Sequence, residues 1–402
     1  MRLSRLAQDT KLSGTLAIDE QYQARKAAGE DVISLGAGQP DFASPPEACR
    51  GGVEAIDSGR TRYTHVAGTP ELRAAIARKF KDENGLAVTA SQVVVSNGAK
   101  QAIYHALLAL VDPGDAVLVP TPAWPSYAEM VRLVGGQAET VALQAQSGFK
   151  LTAELLVRAL HGTPLRHSVL LFNNPANPTG AVYTAEELSR LAEVVRGEDL
   201  FVISDEIYEH LTYDGPFVAF ATLPGMRGRT ITVNGFSKAF SMTGWRVGYA
   251  TGPAPVMRAI GAIQSHTSGN ASSVSQHAAL RALEAALAGG AGREPLERMA
   301  YAFRRRRDLV CRLLGEIPGI TFPRPQGAFY VFVDVSAHYG RPLVRGRTVA
   351  TSVDMAGYLL EEAKVAVVPG AAFGDDRAVR LSFAASAEDL TVAVKRIARA
   401  LT

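Results

Sequence analysis

The sequence predicts an α/β fold in which helices cover both faces of a parallel or mixed sheet, with a smaller α+β unit after it. Three observations carry this. Short strand-like runs, apolar throughout, alternate with helix-length patterns over most of the chain, as expected of strands buried on both faces. At 402 residues the chain is too long for one small core. The alternation changes after Ala288-Gly289-Gly290-Ala291-Gly292, which reads as a domain joint.

The elements follow in order. Thr69-Pro70-Glu71 opens a helix, with threonine as the cap and proline at the first position. Val93-Val94-Val95 is a strand leading into a helix over 99–110, and Ala116-Val117-Leu118-Val119 precedes a helix over 125–134. Ser168-Val169-Leu170-Leu171-Phe172 precedes a helix over 184–195, whose opening Thr184-Ala185-Glu186-Glu187 is a capping box. Leu200-Phe201-Val202-Ile203 and Thr230-Ile231-Thr232-Val233 complete the series. Beyond the joint, Met299, Phe303, Leu309, Val310 and Leu313 recur at helical intervals over 295–314, and Arg304-Arg305-Arg306-Arg307 is expected on the solvated face of that helix. Phe329-Tyr330-Val331-Phe332-Val333, a helix over 354–363, two short strands and a terminal helix finish the chain.

Composition narrows the function classes. With 47% hydrophobic and 20% charged residues the chain is ordinarily globular, and a net charge of +3 is too weak to imply nucleic acid. No apolar run is long enough to span a bilayer, so no membrane is expected. Met1-Arg2-Leu3-Ser4-Arg5 leads into polar residues without a signal core, and Cys49 and Cys311 lie far apart without pairing or metal spacing. A reduced, cytoplasmic protein is expected. The eight histidines show no ligand spacing, so no metal is expected.

Polar clusters follow the predicted strands, where open α/β sheets place ligands. Ser96-Asn97-Gly98-Ala99-Lys100 is either an ordinary strand-to-helix turn or an anion site at a helix start. Trp124, in Pro122-Ala123-Trp124-Pro125, either packs in a core or shows an indole face to a flat ring. Asn174-Pro175-Ala176-Asn177-Pro178-Thr179-Gly180 is dense in turn residues, for structure or for function. Ser204-Asp205-Glu206-Ile207-Tyr208 puts a carboxylate at a strand end, as a site residue or a helix cap. Ser237-Lys238-Ala239-Phe240-Ser241-Met242-Thr243-Gly244-Trp245-Arg246-Val247 sets an amine one short loop from a guanidinium. Lys238 there is either a solvated lysine or the Schiff-base partner of a phosphate-bearing aldehyde, with Arg246 on the phosphate. Arg380, in the apolar run Val379-Arg380-Leu381-Ser382-Phe383, requires an anionic partner, in the protein or in a ligand.

These motifs together, in this order, resemble the class I aminotransferases of fold type I, dependent on pyridoxal 5′-phosphate, and more narrowly the bacterial aspartate/prephenate aminotransferase subgroup. The likeness runs from Ser13-Gly14-Thr15-Leu16-Ala17 through Leu35-Gly36-Ala37-Gly38-Gln39-Pro40-Asp41-Phe42 to Arg380 and the last helix. It implies a large domain over 45–288 with a mostly parallel seven-stranded sheet, and a small α+β domain from 1–44 and 289–402. It also implies a homodimer with shared sites. Lys238 would carry pyridoxal phosphate as a Schiff base and shuttle protons. Asp205 would face the pyridine nitrogen, Tyr208 and Asn177 the ring oxygen, and Trp124 would stack on the ring. Arg246, the Gly98-Ala99 amides and Tyr63 of a neighbouring subunit would take the phosphate. Arg380 would grip the substrate α-carboxylate, aided by Gly38 and Asn177. Lys100 would meet a side-chain carboxylate, and Lys11 is associated with accepting prephenate.

The implied reaction is ping-pong transamination between aspartate or glutamate and a 2-oxo acid. An aromatic or aliphatic aminotransferase, an oxidase, lyase or cyclase on the same scaffold, and a non-catalytic sensor are the rival readings. The chain departs from the family pattern at Gly235, where many members carry a serine that binds the phosphate. Ser237 is the nearest substitute. His65 and His105 also depart, and are expected at the pocket entrance or without a role.

Overall fold

The computed structural model describes residues 3–10, 14–163 and 165–402, without the side chains of 14–17. Its centre is a seven-stranded sheet in the order Val93–Ser96, Gly248–Thr251, Thr230–Gly235, Phe201–Asp205, His167–Asn173, Ala116–Thr121, Gln137–Ala142. Gly248–Thr251 runs antiparallel to both neighbours, and every other adjacent pair is parallel. The chain is thus an α/β protein of fold type I.

Helices cover the sheet on both faces because its strands are apolar at successive positions, and successive side chains point opposite ways. Val117, Val119, Val169 and Leu171 share one apolar cluster with Ile103 and Leu107 of helix Ala99–Leu110. Leu118, Leu170 and Phe172 share another with Leu188 and Leu191 of helix Ala185–Gly197. The local signals read from sequence are in place. Thr69 Oγ1 accepts from the Leu72 amide at the start of Pro70–Asn84, and Thr184 and Glu187 close the expected capping box.

A second layer contains the antiparallel sheet Val368–Pro369, Ala378–Ser382, Tyr330–Asp334. Ile33–Ser34 pairs in parallel with Val365–Ala366, which draws the N-terminal segment onto the C-terminal part of the chain. The predicted helix over 354–363 begins at Ser352, and its last turn, Leu359–Ala363, widens to π geometry.

One expectation fails in the helix Glu294–Gly315. The arginine run is not all solvated, since Arg307 is fully buried and pairs with Asp214 at 2.6 Å and Asp308 at 2.9 Å. The reason is helical geometry: position 307 lies four after Phe303 and three before Val310, on the same apolar stripe. Cys49 and Cys311 are free, and among the described residues no helix is long and apolar enough to cross a membrane.

Candidate active site

The carboxyl ends of the central strands open into a cavity of about 450 Å³ whose other wall comes from the second layer. Asp205 ends its strand and is 4% exposed. Its Oδ2 accepts from the Tyr127 hydroxyl at 2.6 Å and its Oδ1 from the Ile207 amide at 3.2 Å. Burial raises its pKa to about 6, against the lowering effect of these two donors and of Lys238. Asn173, paired in register with Asp205, donates to the Asp205 carbonyl at 2.9 Å and accepts from the Asn177 amide at 2.8 Å.

Lys238 follows the strand Thr230–Gly235, is half-buried, and donates to the Gly38 carbonyl. Burial, then the charges of Arg380 and Arg246, lower its pKa to about 8, with Asp205 opposing. The neutral amine a nucleophile needs is therefore within reach near neutral pH.

Arg246 stands at φ 55° just before Gly248–Thr251, with Nη1 donating to the Thr243 carbonyl at 3.0 Å. A Cβ on Gly98 (φ 82°) would come within 2.7 Å of Arg246 Nη2, so glycine lets the guanidinium lie against the start of Ala99–Leu110. The Gly98 amide itself donates to the Ser96 carbonyl at 2.8 Å. Of the expected Gly98-Ala99 pair, only the Ala99 amide, with that of Lys100, belongs to the helix turn that lacks internal acceptors. Gly235 is required by packing: a Cβ there would meet Gly248 Cα at 2.9 Å.

Arg380 is 2% exposed and lies between the rings of Tyr330 and Phe373, at 4.3 and 5.0 Å. It donates to Asn177 Oδ1 at 3.1 Å and to the Gly36 carbonyl at 2.8 Å, while its Nε has no partner. Among the described residues no carboxylate pairs with it. Tyr208, 4% exposed, has its hydroxyl 3.0 Å from that of Tyr330, and burial holds its pKa well above the ordinary value. Lys100 Nζ stands 4.7 Å over the Trp124 ring, whose edge meets Tyr127 at 5.3 Å. Four cationic side chains thus face one cavity against the carboxylates of Asp205 and Asp19, an arrangement suited to a polyanionic ligand.

The family model for aminotransferase class I and II matches residues 30–397. The chain belongs to that family. The aminotransferase is 47% identical to the bifunctional aspartate aminotransferase and glutamate/aspartate-prephenate aminotransferase of Petunia hybrida, over 99% of this chain and 82% of the relative. It is also 47% identical to an aspartate/prephenate aminotransferase of Cereibacter sphaeroides, over 96% and 95%. Among solved structures, it superposes on the aspartate aminotransferase of Rhizobium meliloti with TM-score 0.93, at 42% identity over 100% of this chain and 99% of that one. The Thermus thermophilus aspartate aminotransferase with maleate gives TM-score 0.92 at 42% identity, over 100% of both chains.

Most residues singled out from the sequence of the aminotransferase line this one cavity: Gly38, Ala99, Lys100, Trp124, Asn177, Asp205, Tyr208, Ser237, Lys238, Arg246 and Arg380. Gly98 is not among the lining residues, but it abuts Arg246, which is. The Gly36 carbonyl accepts from Arg380, and the Gly38 carbonyl accepts from Lys238. Tyr63 is 98% exposed and does not line the cavity of its own chain, and Lys11 lies outside the described residues. Neither histidine lines it. His65 Nδ1 accepts from the Ala67 amide at 3.1 Å, and His105 is buried against Thr267 at 2.9 Å. Sequence reasoning missed Tyr127, Asn173 and Tyr330. Asn173 had a signal, a polar residue closing an apolar run, and Tyr127 had its place in the first turn of the helix after the Trp124 loop. Tyr330 had none, because it reaches the cavity from a distant strand.

Proposed function

We propose that the chain moves the amino group of L-aspartate or L-glutamate to 2-oxoglutarate or oxaloacetate by ping-pong transamination, with pyridoxal 5′-phosphate held on Lys238. The observation that carries the reading is Arg380, a guanidinium 2% exposed with an unpartnered Nε and, among the described residues, no carboxylate beside it. A buried cation kept without a counterion is costly, and a substrate α-carboxylate supplies what is missing.

The residues fit the cofactor. Arg246 against the start of Ala99–Leu110, where a Gly98 side chain would intrude, suits a phosphate. Asp205 suits a pyridinium nitrogen, Tyr208 and Asn177 the ring oxygen, Trp124 the ring face, and Ser237 stands beside them. Bound there, the cofactor supplies an aldehyde that carries the amino group and a ring that withdraws electrons from substrate Cα. Asp205, kept charged by Tyr127, maintains the ring's positive end. Arg380 and Asn177 orient the substrate, and Lys238 Nζ takes and returns the Cα proton.

Lys100, facing the cavity beside Trp124, is the side-chain carboxylate contact in this reading. The dicarboxylate maleate in the Thermus thermophilus structure and the names of the curated relatives support the choice. Those names also support prephenate as a further amino acceptor. We assign the large domain to 45–288 and the small one to 1–44 with 289–402, in keeping with the pairing of Ile33–Ser34 to Val365–Ala366. A homodimer completes the site, with Tyr63 on the phosphate of the second copy, and the two unpaired cysteines favour the cytoplasm. The test is a half-reaction screen that follows the cofactor absorbance of the loaded protein. Aspartate and glutamate should convert it, and failure of both at millimolar concentration overturns the substrate assignment.

A further inference from the structure

The turn that presents Asp205 and Tyr208 to the cavity has a second face. Glu206 and Glu209, offset from them by one residue, are buried and do not line the cavity. Lys79 of helix Pro70–Asn84, 1% exposed, donates to Glu209, 6% exposed. Lys79 Nζ also donates to Asn84 Oδ1 at 2.8 Å, and Asn84 Nδ2 donates to the other Glu209 oxygen at 2.8 Å, closing a ring of three side chains. Burial alone would raise the Glu209 carboxyl, yet Lys79 and His210 hold it below the usual carboxylate range. At this depth either charge alone would be uncompensated, so the two persist as a pair.

Glu83, Glu209 and His210 are close enough to suggest a metal centre. Charge argues otherwise. Glu209 is matched by Lys79, and Glu83 by Arg293 at 2.8 Å, which leaves no surplus negative charge for a cation. What the ring does is mechanical. The Asp205 carbonyl is held by the Asn174 amide at 3.1 Å and by Asn173 at 2.9 Å, so the sheet already fixes that residue. Tyr208 lies beyond the strand end; its carbonyl accepts from the Leu211 amide at 2.8 Å within the turn, and its neighbour Glu209 ties that turn to helix Pro70–Asn84.

We propose that Lys79, Glu209 and Asn84 form a positioning strut that braces the turn from behind and holds Tyr208 at the cavity wall. The proposal rests on the reading of Tyr208 as a cofactor contact. Tyr208 meets Tyr330, and Tyr330 underlies Arg380, so slack in the turn is felt as misalignment at the reacting atoms. A displacement of about 1 Å far from the chemistry can cost about 10²-fold in rate.

The test compares wild-type holoenzyme with Asn84→Ala, which removes no charge, and with the double variant Lys79→Met/Glu209→Leu, which leaves no charge unpaired. Measured are kcat and KM for aspartate, the visible circular dichroism of bound pyridoxal phosphate, and Tm. The strut predicts folded variants with altered dichroism, KM within about threefold of wild type and kcat lowered about tenfold or more. Wild-type dichroism and kcat in the folded double variant would overturn it, as would stoichiometric metal in the purified wild type. Should wild type itself fail to turn over aspartate, the substrate reading falls. The dichroism of the variants then still decides the strut.

Discussion

Tyr127 donates its phenolic hydrogen to Asp205 Oδ2 across 2.6 Å, and the two side chains are only 2% and 4% exposed. The bond joins the first turn of Ser126–Leu133 to the end of Phe201–Asp205. It works against the burial that lifts Asp205 to about 6. A phenol therefore keeps a carboxylate charged where solvent cannot.

Tyr127→Phe removes that donor without changing volume, and Asp205 should rise further. A hydrogen bond to a charged group contributes about 1.5–3 kcal/mol, so kcat/KM for aspartate should fall about tenfold to a hundredfold. Affinity for pyridoxal phosphate, measured by fluorescence titration, should weaken with it. Wild-type values in both would show that Asp205 holds its charge unaided.

Lys238→Ala should lower steady-state turnover about 10⁴-fold, the upper range for loss of a positioned proton-transfer group. It should also abolish borohydride-reducible attachment of the cofactor, checked by intact mass. Normal turnover in this variant would sink the assignment.

The same lysine predicts a pH effect on the apoprotein. Its folded value is lowered from 10.5 to about 8, burial being the main cause. Between those values the unfolded chain binds more protons than the folded chain, so this group adds stability as pH rises from about 8 towards 10.5. Below 8 the buried ammonium is a cost. Apo Lys238→Met should resist urea better than wild type at neutral pH and lose that advantage near pH 10. An advantage independent of pH would mean that packing, not charge, explains it.

Lys100→Ala should reduce kcat/KM for aspartate more than for an uncharged amino acid. Because Lys100 is exposed in the cavity, an effect of about 1 kcal/mol, or about fivefold, is expected. Equal losses for the two substrates would refute the role.

Gly235→Ser tests whether packing excludes a side chain at this position. A Cβ at 235 would lie 2.9 Å from Gly248 Cα and 3.1 Å from the Val247 carbonyl. Such overpacking costs about 1–3 kcal/mol, readable by urea denaturation. Unchanged stability would show that the neighbouring strand can give way.

Five of the seven central strands were legible because each signal is local, whereas the part-solvated edge strand Gln137–Ala142 and the four-residue Gly248–Thr251 were not. The Thr69 and Thr184 caps and the buried apolar runs appear where propensity and patterning place them. The clusters that hold Asp205, Asn177 and Lys238 were legible for the same reason, as polar, turn-rich segments that follow apolar runs. Arg307 was not, since its burial follows from the phase of its helix against the apolar cluster that contains Phe303.

By itself the sequence determined the fold class and the polar clusters at the strand ends, and its motif order determined the family. Tertiary structure alone decided which of them meet. Arg380 and Tyr330 come to Asn177 and Tyr208 from strands more than a hundred residues away. Tyr127 finds Asp205 across 78 residues, and Lys79 finds Glu209 across 130. The physical reason is that a lone polar residue advertises only its own cost of burial. The partner that offsets this cost is chosen by the packing of whole elements, which no local pattern encodes.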